Sequence, residues 1–102
     1  MTEPVLDIVW DDNKARSNLA KHKVSFAQAA TVMLDPLALT VFDEAHSITE
    51  DRWFTLGQSS DGRLLAISHT HEVINDNTVR IRLISARQAE PPERQQYENV
   101  PR

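Results

Sequence analysis

The chain contains no cysteine. That excludes disulfide cross-links, thiolate nucleophiles and cysteine-ligated zinc, and it fits a cytoplasmic protein. No stretch approaches the roughly 18 consecutive apolar residues of a membrane-spanning helix, so no membrane role is expected. The opening MTEPVLDIVWDDN has neither a basic leader nor a long apolar run, and no export signal is expected there. Internal repeats and low-complexity tracts are missing too. Positive charge is in deficit, the net charge being −4, which taken alone argues against a nucleic-acid partner.

What is present points to one domain over residues 1–102, large enough for a single modest core. With 40% apolar and 25% charged residues, the composition is that of an ordinary globular protein. The charges are segregated. Lys14, Arg16, Lys21 and Lys23 occupy residues 13–25 with no acid among them. Asp35, Asp43, Glu44, Glu50 and Asp51 follow with no lysine or arginine between them. Arg80, Arg82 and Arg87 then fall in VRIRLISARQAE (79–90), a segment whose Val79, Ile81 and Ile84 otherwise read as a strand. An acidic chain can thus carry a basic patch, if its basic segments meet.

The patterning predicts β-α-α-β-β-β-β-α. PVLDIVW (4–10) reads as a first strand, and the acids and asparagine at 11–13 cap a helix over about 12–22. Ser25 and Gln28 have capping-box spacing for a second helix, with Phe26, Ala29, Ala30, Met33 and Leu34 as its apolar stripe and Asp35-Pro36 as its end. Strands follow at 37–42, 52–59, 63–71 and 78–86. Asp61-Gly62 marks a hairpin, and Asn75-Asp76-Asn77 a second turn. Pro91-Pro92 opens a short final helix. The expected architecture is α+β, with two N-terminal helices packed on one face of an antiparallel sheet and a short C-terminal helix.

Several groups could carry chemistry. His69 and His71, two apart on a predicted strand, should share a face, but two imidazoles are too few for zinc. Neither a metal nor another cofactor is expected. Asp43, Glu44 and His46 are either acid/base residues or simply a polar loop. The strand arginines can supply planar, permanently charged donors to a phosphodiester and its transition state. Equally, they can solvate an exposed face or pair with the acidic 43–51 loop.

The motifs KH-x-VSF-x-x-A, DPLAL, HS-x-x-E, R-x-x-x-LG-x-S, and ISAR followed by ER-x-x-YE are distinctive together. Over residues 10–98 the chain resembles the BrnT family of type II toxins. The resemblance implies a small RelE-like fold and a metal-independent endoribonuclease that inhibits translation. It implies as partner a BrnA-type antitoxin with a ribbon-helix-helix DNA-binding domain. Toxin and antitoxin would assemble as a heterotetramer, contacting operator DNA only through the complex. Carried over by motif, His69, Arg52, Arg82 and Arg87 are the catalytic candidates. Lys21, His22, Arg80, Arg94 and Tyr97 are the RNA-binding ones, although Arg94 and Tyr97 could instead pin the last helix.

The reaction so implied is attack of an RNA 2′-hydroxyl on its adjacent phosphate, with His69 as acid or base and the arginines stabilising charge. A weakly active or inactive module that binds the antitoxin and tunes operator occupancy is the alternative. An independent DNA-binding regulator has little support, since no helix carries a base-reading set. The edge strand and the acidic 43–51 loop are candidates for the antitoxin surface. Three positions depart from the family pattern. Lys23 stands where glycine is usual, Glu72 where a cation is common, and Glu90-Pro91-Pro92 replaces the usual cap, which should leave the last helix less well anchored.

Overall fold

In a computed structural model, which describes residues 4–101, the capping signals act where the sequence places them. The Asp11 carboxylate accepts the Asn13 N–H at 3.2 Å and opens α1 (Asp12–His22). Lys23 ends that helix in the left-handed conformation, φ 61°, its N–H donating to the Leu19 carbonyl. Such a conformation costs a side-chain-bearing residue about 1–2 kcal/mol, which glycine would avoid. Ser25 Oγ accepts the Gln28 N–H at 3.1 Å and opens α2 (Phe26–Ala30). The reciprocal half of the expected capping box is replaced, because Gln28 Nε2 donates to Ser60 Oγ at 2.8 Å. After Ala30 the chain tightens into a 3₁₀ turn, Thr31–Leu34.

The strands are β1 (Val5–Val9), β2 (Leu39–Phe42), β3 (Trp53–Gln58), β4 (Leu64–His69), β5 (Glu72–Asn75) and β6 (Thr78–Gln88). They form one sheet in the order β1-β6-β4-β3-β2, with β5 also paired to β6. The expected hairpin joins β3 to β4, and Gly62 takes φ +87° in its turn. The sheet is not purely antiparallel as expected. β1 lies parallel to β6, Ile8 opposite Ile81, so the sheet is mixed. Side-chain alternation records which face a residue takes but not strand direction, and the long excursion from residue 10 to 77 supplies the crossover that parallel pairing needs. The expected strand over 63–71 is also shorter. It stops at His69, and the chain resumes as the unanticipated β5.

Two clusters form the core. Val24, Phe26, Ala29 and Val32 meet Leu65, Ile67, Ile81, Leu83 and Ala86 on one face. Leu56, Leu64 and Ala66 meet Leu39, Phe54, Ala89 and Tyr97 on the other. Gly57 lets the 3₁₀ turn press against β3: a methyl group there would meet Val32 Cγ1 at 2.7 Å. The closing helix α3 (Pro91–Asn99) is better anchored than its sequence suggests. Glu93 reaches back to the Glu90 N–H at 2.8 Å, completing a capping box.

Buried Asn18 finishes the edge of β6. Pairing with β1 runs only to Val9 opposite Arg82. Beyond it, the Asn18 amide takes over: Nδ2 donates to the Ala86 carbonyl at 2.8 Å and Oδ1 accepts the Ala86 N–H at 3.0 Å. Nδ2 also donates to the Val24 carbonyl at 2.9 Å, so one side chain stands in for a strand and ties α1 to the sheet.

Candidate functional site

The strand that carries the arginines also builds the core, and a register shift lets it do both. Ile81 and Leu83 enter the core, so Arg80 and Arg82 take the opposite face. Opposite β4 the pairing then passes from Leu83–His69 to Ser85–Ser68, leaving Ile84 as an extra residue. That extra residue restores the phase. Ala86 returns to the core while Ser85 and Arg87 keep to the face of Arg80 and Arg82.

The acidic segment after β2 is held in a defined loop. The Asp43 N–H donates to the Arg52 carbonyl at 2.9 Å. Ser47 Oγ donates to the Asp43 carbonyl at 2.6 Å and accepts the Arg52 N–H at 2.9 Å. His46 Nδ1 lies 2.9 Å from the Asp43 carboxylate. With its ends tied, the loop delivers Glu50 to Arg82, whose Nη2 donates to both carboxylate oxygens at 2.7 and 2.6 Å. The pair is half-exposed, at 35% for Arg82 and 42% for Glu50. That hydrogen bond, helped by the nearby charges of Arg52 and Lys14, holds the Glu50 carboxyl below its ordinary range.

Arg82 from β6 thus holds Glu50 directly, while Arg52, at the entrance to β3, and Lys14, in α1, act on it only through the field of their charges. Beside them lies a cleft of about 230 Å³ lined by Glu50, Asp51, Thr70, His71, Glu72, Arg80 and Arg82. Arg80 is paired with Asp7 of β1 at 2.9 Å. A second cleft of about 350 Å³, along α1, contains Lys14, Lys21, His22 and Ser85.

His69 and His71 both lie beside Trp53, the first by register and the second by ring contact, but they differ in burial. His69 ends β4 and is 1% exposed. Its Nδ1–H donates to the Thr70 carbonyl at 2.8 Å, which leaves Nε2 to accept from Thr55 Oγ1 at 2.6 Å. Burial pushes its pKa down, so the ring is held neutral. As placed, it secures β3 to β4 and is closed to a substrate arriving from solvent. His71 follows the strand's end, stacks against Trp53 at 5.8 Å between ring centres, and opens into the cleft.

The remaining predicted residues are dispersed. Arg87 lies five residues beyond Arg82, roughly 15 Å along the strand. Glu93 grips it through two bonds of 2.8 and 2.9 Å, which hold the guanidinium pKa up and the Glu93 carboxyl down. Tyr97 donates its hydroxyl proton to Asp35 Oδ2 at 2.6 Å, and Asp35 also accepts the Gln58 N–H at 2.8 Å. Tyr97 thus pins α3 to the sheet. Arg94 is exposed and meets Glu98 only at 3.6 Å. Sequence reasoning missed Glu50, His71 and Lys14 as members of the site. The acid in HS-x-x-E was the available signal for Glu50, since it follows the loop-pinning Ser47 closely.

A family model described as the ribonuclease toxin BrnT of type II toxin–antitoxin systems matches residues 10–93. The 1.1 Å crystal structure of the Brucella abortus ribonuclease toxin BrnT shares the fold, with a TM-score of 0.61 at 23% sequence identity, covering 84% of this chain and 99% of that one. No curated protein matches the sequence. Among the described residues, no helix is long and apolar enough to cross a membrane. The family match runs from the end of β1 through the clefts to the start of α3, and the chain belongs to the BrnT family of ribonuclease toxins.

Proposed function

We propose that this chain is the toxin of a type II system and cleaves RNA without a metal ion, using the cleft between β6 and the Glu50 loop. The observation that carries the reading is the Arg82 guanidinium closed on the Glu50 carboxylate in a cleft that also holds Arg80 and His71. A half-exposed carboxylate whose two oxygens both meet one guanidinium nitrogen occupies the position a phosphate oxygen pair would take. In cleavage, the phosphodiester displaces Glu50. Arg82 and Arg52 then stabilise the phosphorane, with Arg80 beside them. His71, the imidazole open to the cleft, transfers the proton that His69 cannot reach. Lys14, Lys21 and His22 extend the cationic track along α1 for the RNA backbone.

The chain would act in the cytoplasm and be neutralised by an antitoxin of ribbon-helix-helix type. The two would form a heterotetramer that meets operator DNA through the antitoxin. The test is cleavage of a generic RNA by the purified chain in EDTA, beside Arg82→Ala and His71→Ala. Cleavage that persists in chelator and disappears in both variants supports the reading. Cleavage that survives both places the chemistry elsewhere.

A specific observation favours a second reading, an antitoxin-binding module with little catalysis. Arg80, Arg82 and Arg87 are each held by a carboxylate, from Asp7, Glu50 and Glu93, and Glu72 adds another acid to the cleft. A folded chain that cleaves no RNA even as Glu50→Gln would put this reading ahead.

A further inference from the structure

We propose that the free edge of β2 is the docking site for the antitoxin, which adds an extended, apolar-alternating segment with a cationic end. The inference rests on the antitoxin that family membership implies and not on catalysis by the cleft.

Among the described residues, β2 is the last strand of the sheet and pairs with β3 alone. The Asp43 N–H donates to the Arg52 carbonyl, so residues 39, 41 and 43 turn their backbone polar groups toward β3. Thr40 and Phe42 turn theirs outward. Their side chains agree, since the non-hydrogen-bonded pairs of an antiparallel ladder are the closer ones. Thr40 and Thr55 hydroxyls lie 2.8 Å apart, and the Phe42 and Trp53 rings are centred 5.2 Å apart. Two N–H and two C=O groups therefore face an incoming strand.

The side chains beside this edge form a receptor for alternate residues. Leu39 belongs to the cluster around Leu56, and Val41 shares its face. Together with Phe54 and the end of α3 they line a groove of about 620 Å³. A strand hydrogen-bonded to Thr40 and Phe42 would place every second side chain in it, the recognition mode of β-strand addition. Val41 is 58% and Phe42 43% exposed. Edge strands are normally guarded by lysine, proline or a bulge. Here residues 24–51 contain no lysine or arginine, no proline lies within β2, and its pairing with β3 is unbroken. Shortness is its only guard.

Charge selects the occupant. The strand leads directly into Asp43 and Glu44, with Glu50 and Asp51 beyond. A segment with lysine or arginine at the end that meets Asp43 is matched, whereas a second copy of this edge brings no cation, since residues 24–51 hold neither lysine nor arginine.

The test titrates the isotope-labelled full chain with a short synthetic peptide alternating valine and threonine and ending in lysines. A copy ending in glutamates is the comparison. Amide shifts centred on Thr40 and Phe42, stronger for the lysine peptide, are expected. They should be lost in Val41→Lys, which puts a cation at an exposed position of the groove. Glu44→Lys should abolish the preference for lysine. Unshifted β4 and β6 amides certify each variant's fold. Shifts centred on β1 or β5, equal shifts in Val41→Lys, or no saturable shift at millimolar peptide would overturn the proposal. Concentration-dependent shifts at Thr40 and Phe42 without peptide would overturn it in favour of self-association. RNA cleavage is not read in any arm, so this proposal and that of the ribonuclease fail separately.

Discussion

Replacing Glu50 by glutamine keeps the size and hydrogen-bonding reach of the side chain and deletes its charge. The Arg82–Glu50 pair joins one guanidinium nitrogen to both carboxylate oxygens and is half-exposed, and such pairs contribute at most about 1 kcal/mol once solvent screening is counted. A phosphate entering the cleft must break that pair, so in Glu50→Gln it binds up to about fivefold more tightly. Loss of fold stability should be no larger than the same 1 kcal/mol. Glu98→Gln makes the same change in net charge on the exposed surface of α3, where the residue lies only 3.6 Å from Arg94. Fluorescence anisotropy with an RNA methylated at its 2′-hydroxyls measures binding without cleavage. The expected result is a gain in Glu50→Gln well beyond that in Glu98→Gln, with a steeper salt dependence as Arg82 becomes available to phosphate. If the two variants gain equally, the effect is one of net charge, and the idea that Glu50 stands in the phosphate position is wrong.

Asn18→Ala removes three hydrogen bonds and leaves the Ala86 N–H, the Ala86 carbonyl and the Val24 carbonyl without them. Urea denaturation should show a loss of about 3 kcal/mol, and a loss under about 1 would mean water replaces the amide. Lys23→Gly relieves the left-handed strain at the end of α1 and should stabilise by about 0.5–1 kcal/mol, net of the greater freedom of the unfolded glycine. A lower melting temperature in that variant would contradict this. His69 gives the fold a pH dependence. Its folded pKa is depressed, so below about pH 6.5 the unfolded chain binds a proton that the folded chain refuses, and stability declines with acidification. Comparing urea midpoints on either side of that pH, His69→Gln should show a shallower decline than the parent.

Local chemistry was legible in the sequence, and long-range pairing was not. Asp11, Ser25, Pro36 and Asp61-Gly62 act through neighbours within four residues, so α1, the start of α2 and the hairpin emerge where expected. Nothing within β1 says that it will lie parallel to a strand some 70 residues later. The interruption at Thr70 and His71 was equally hidden. It depends on Thr70 meeting Arg82 across the sheet, where its N–H donates to the Arg82 carbonyl and its hydroxyl accepts the Arg82 N–H. The same holds for the site. The arginines stand out in the sequence, but the partners that define their use, Glu50 and Asp7, are 32 and 73 positions away. His69 was chosen for its intrinsic pKa, a property that burial takes from it.

The parallel seam between β1 and β6 constrains how the protein can be made. Chains are synthesised from the N-terminus, and a strand can pair only with sequence that already exists. β1 and Asn18 are among the first segments to appear, yet both bond to β6, the last strand. Arg80 and Arg82 arrive with that strand, together with the surface that seals Phe26 and Val32. A chain interrupted between residues 52 and 77 would have the acidic loop and the lysines of α1, but no cleft and no closed core. During translation the domain therefore stays unassembled until β6 has been made. The cleft, whatever it does, then appears in one late step and not by degrees.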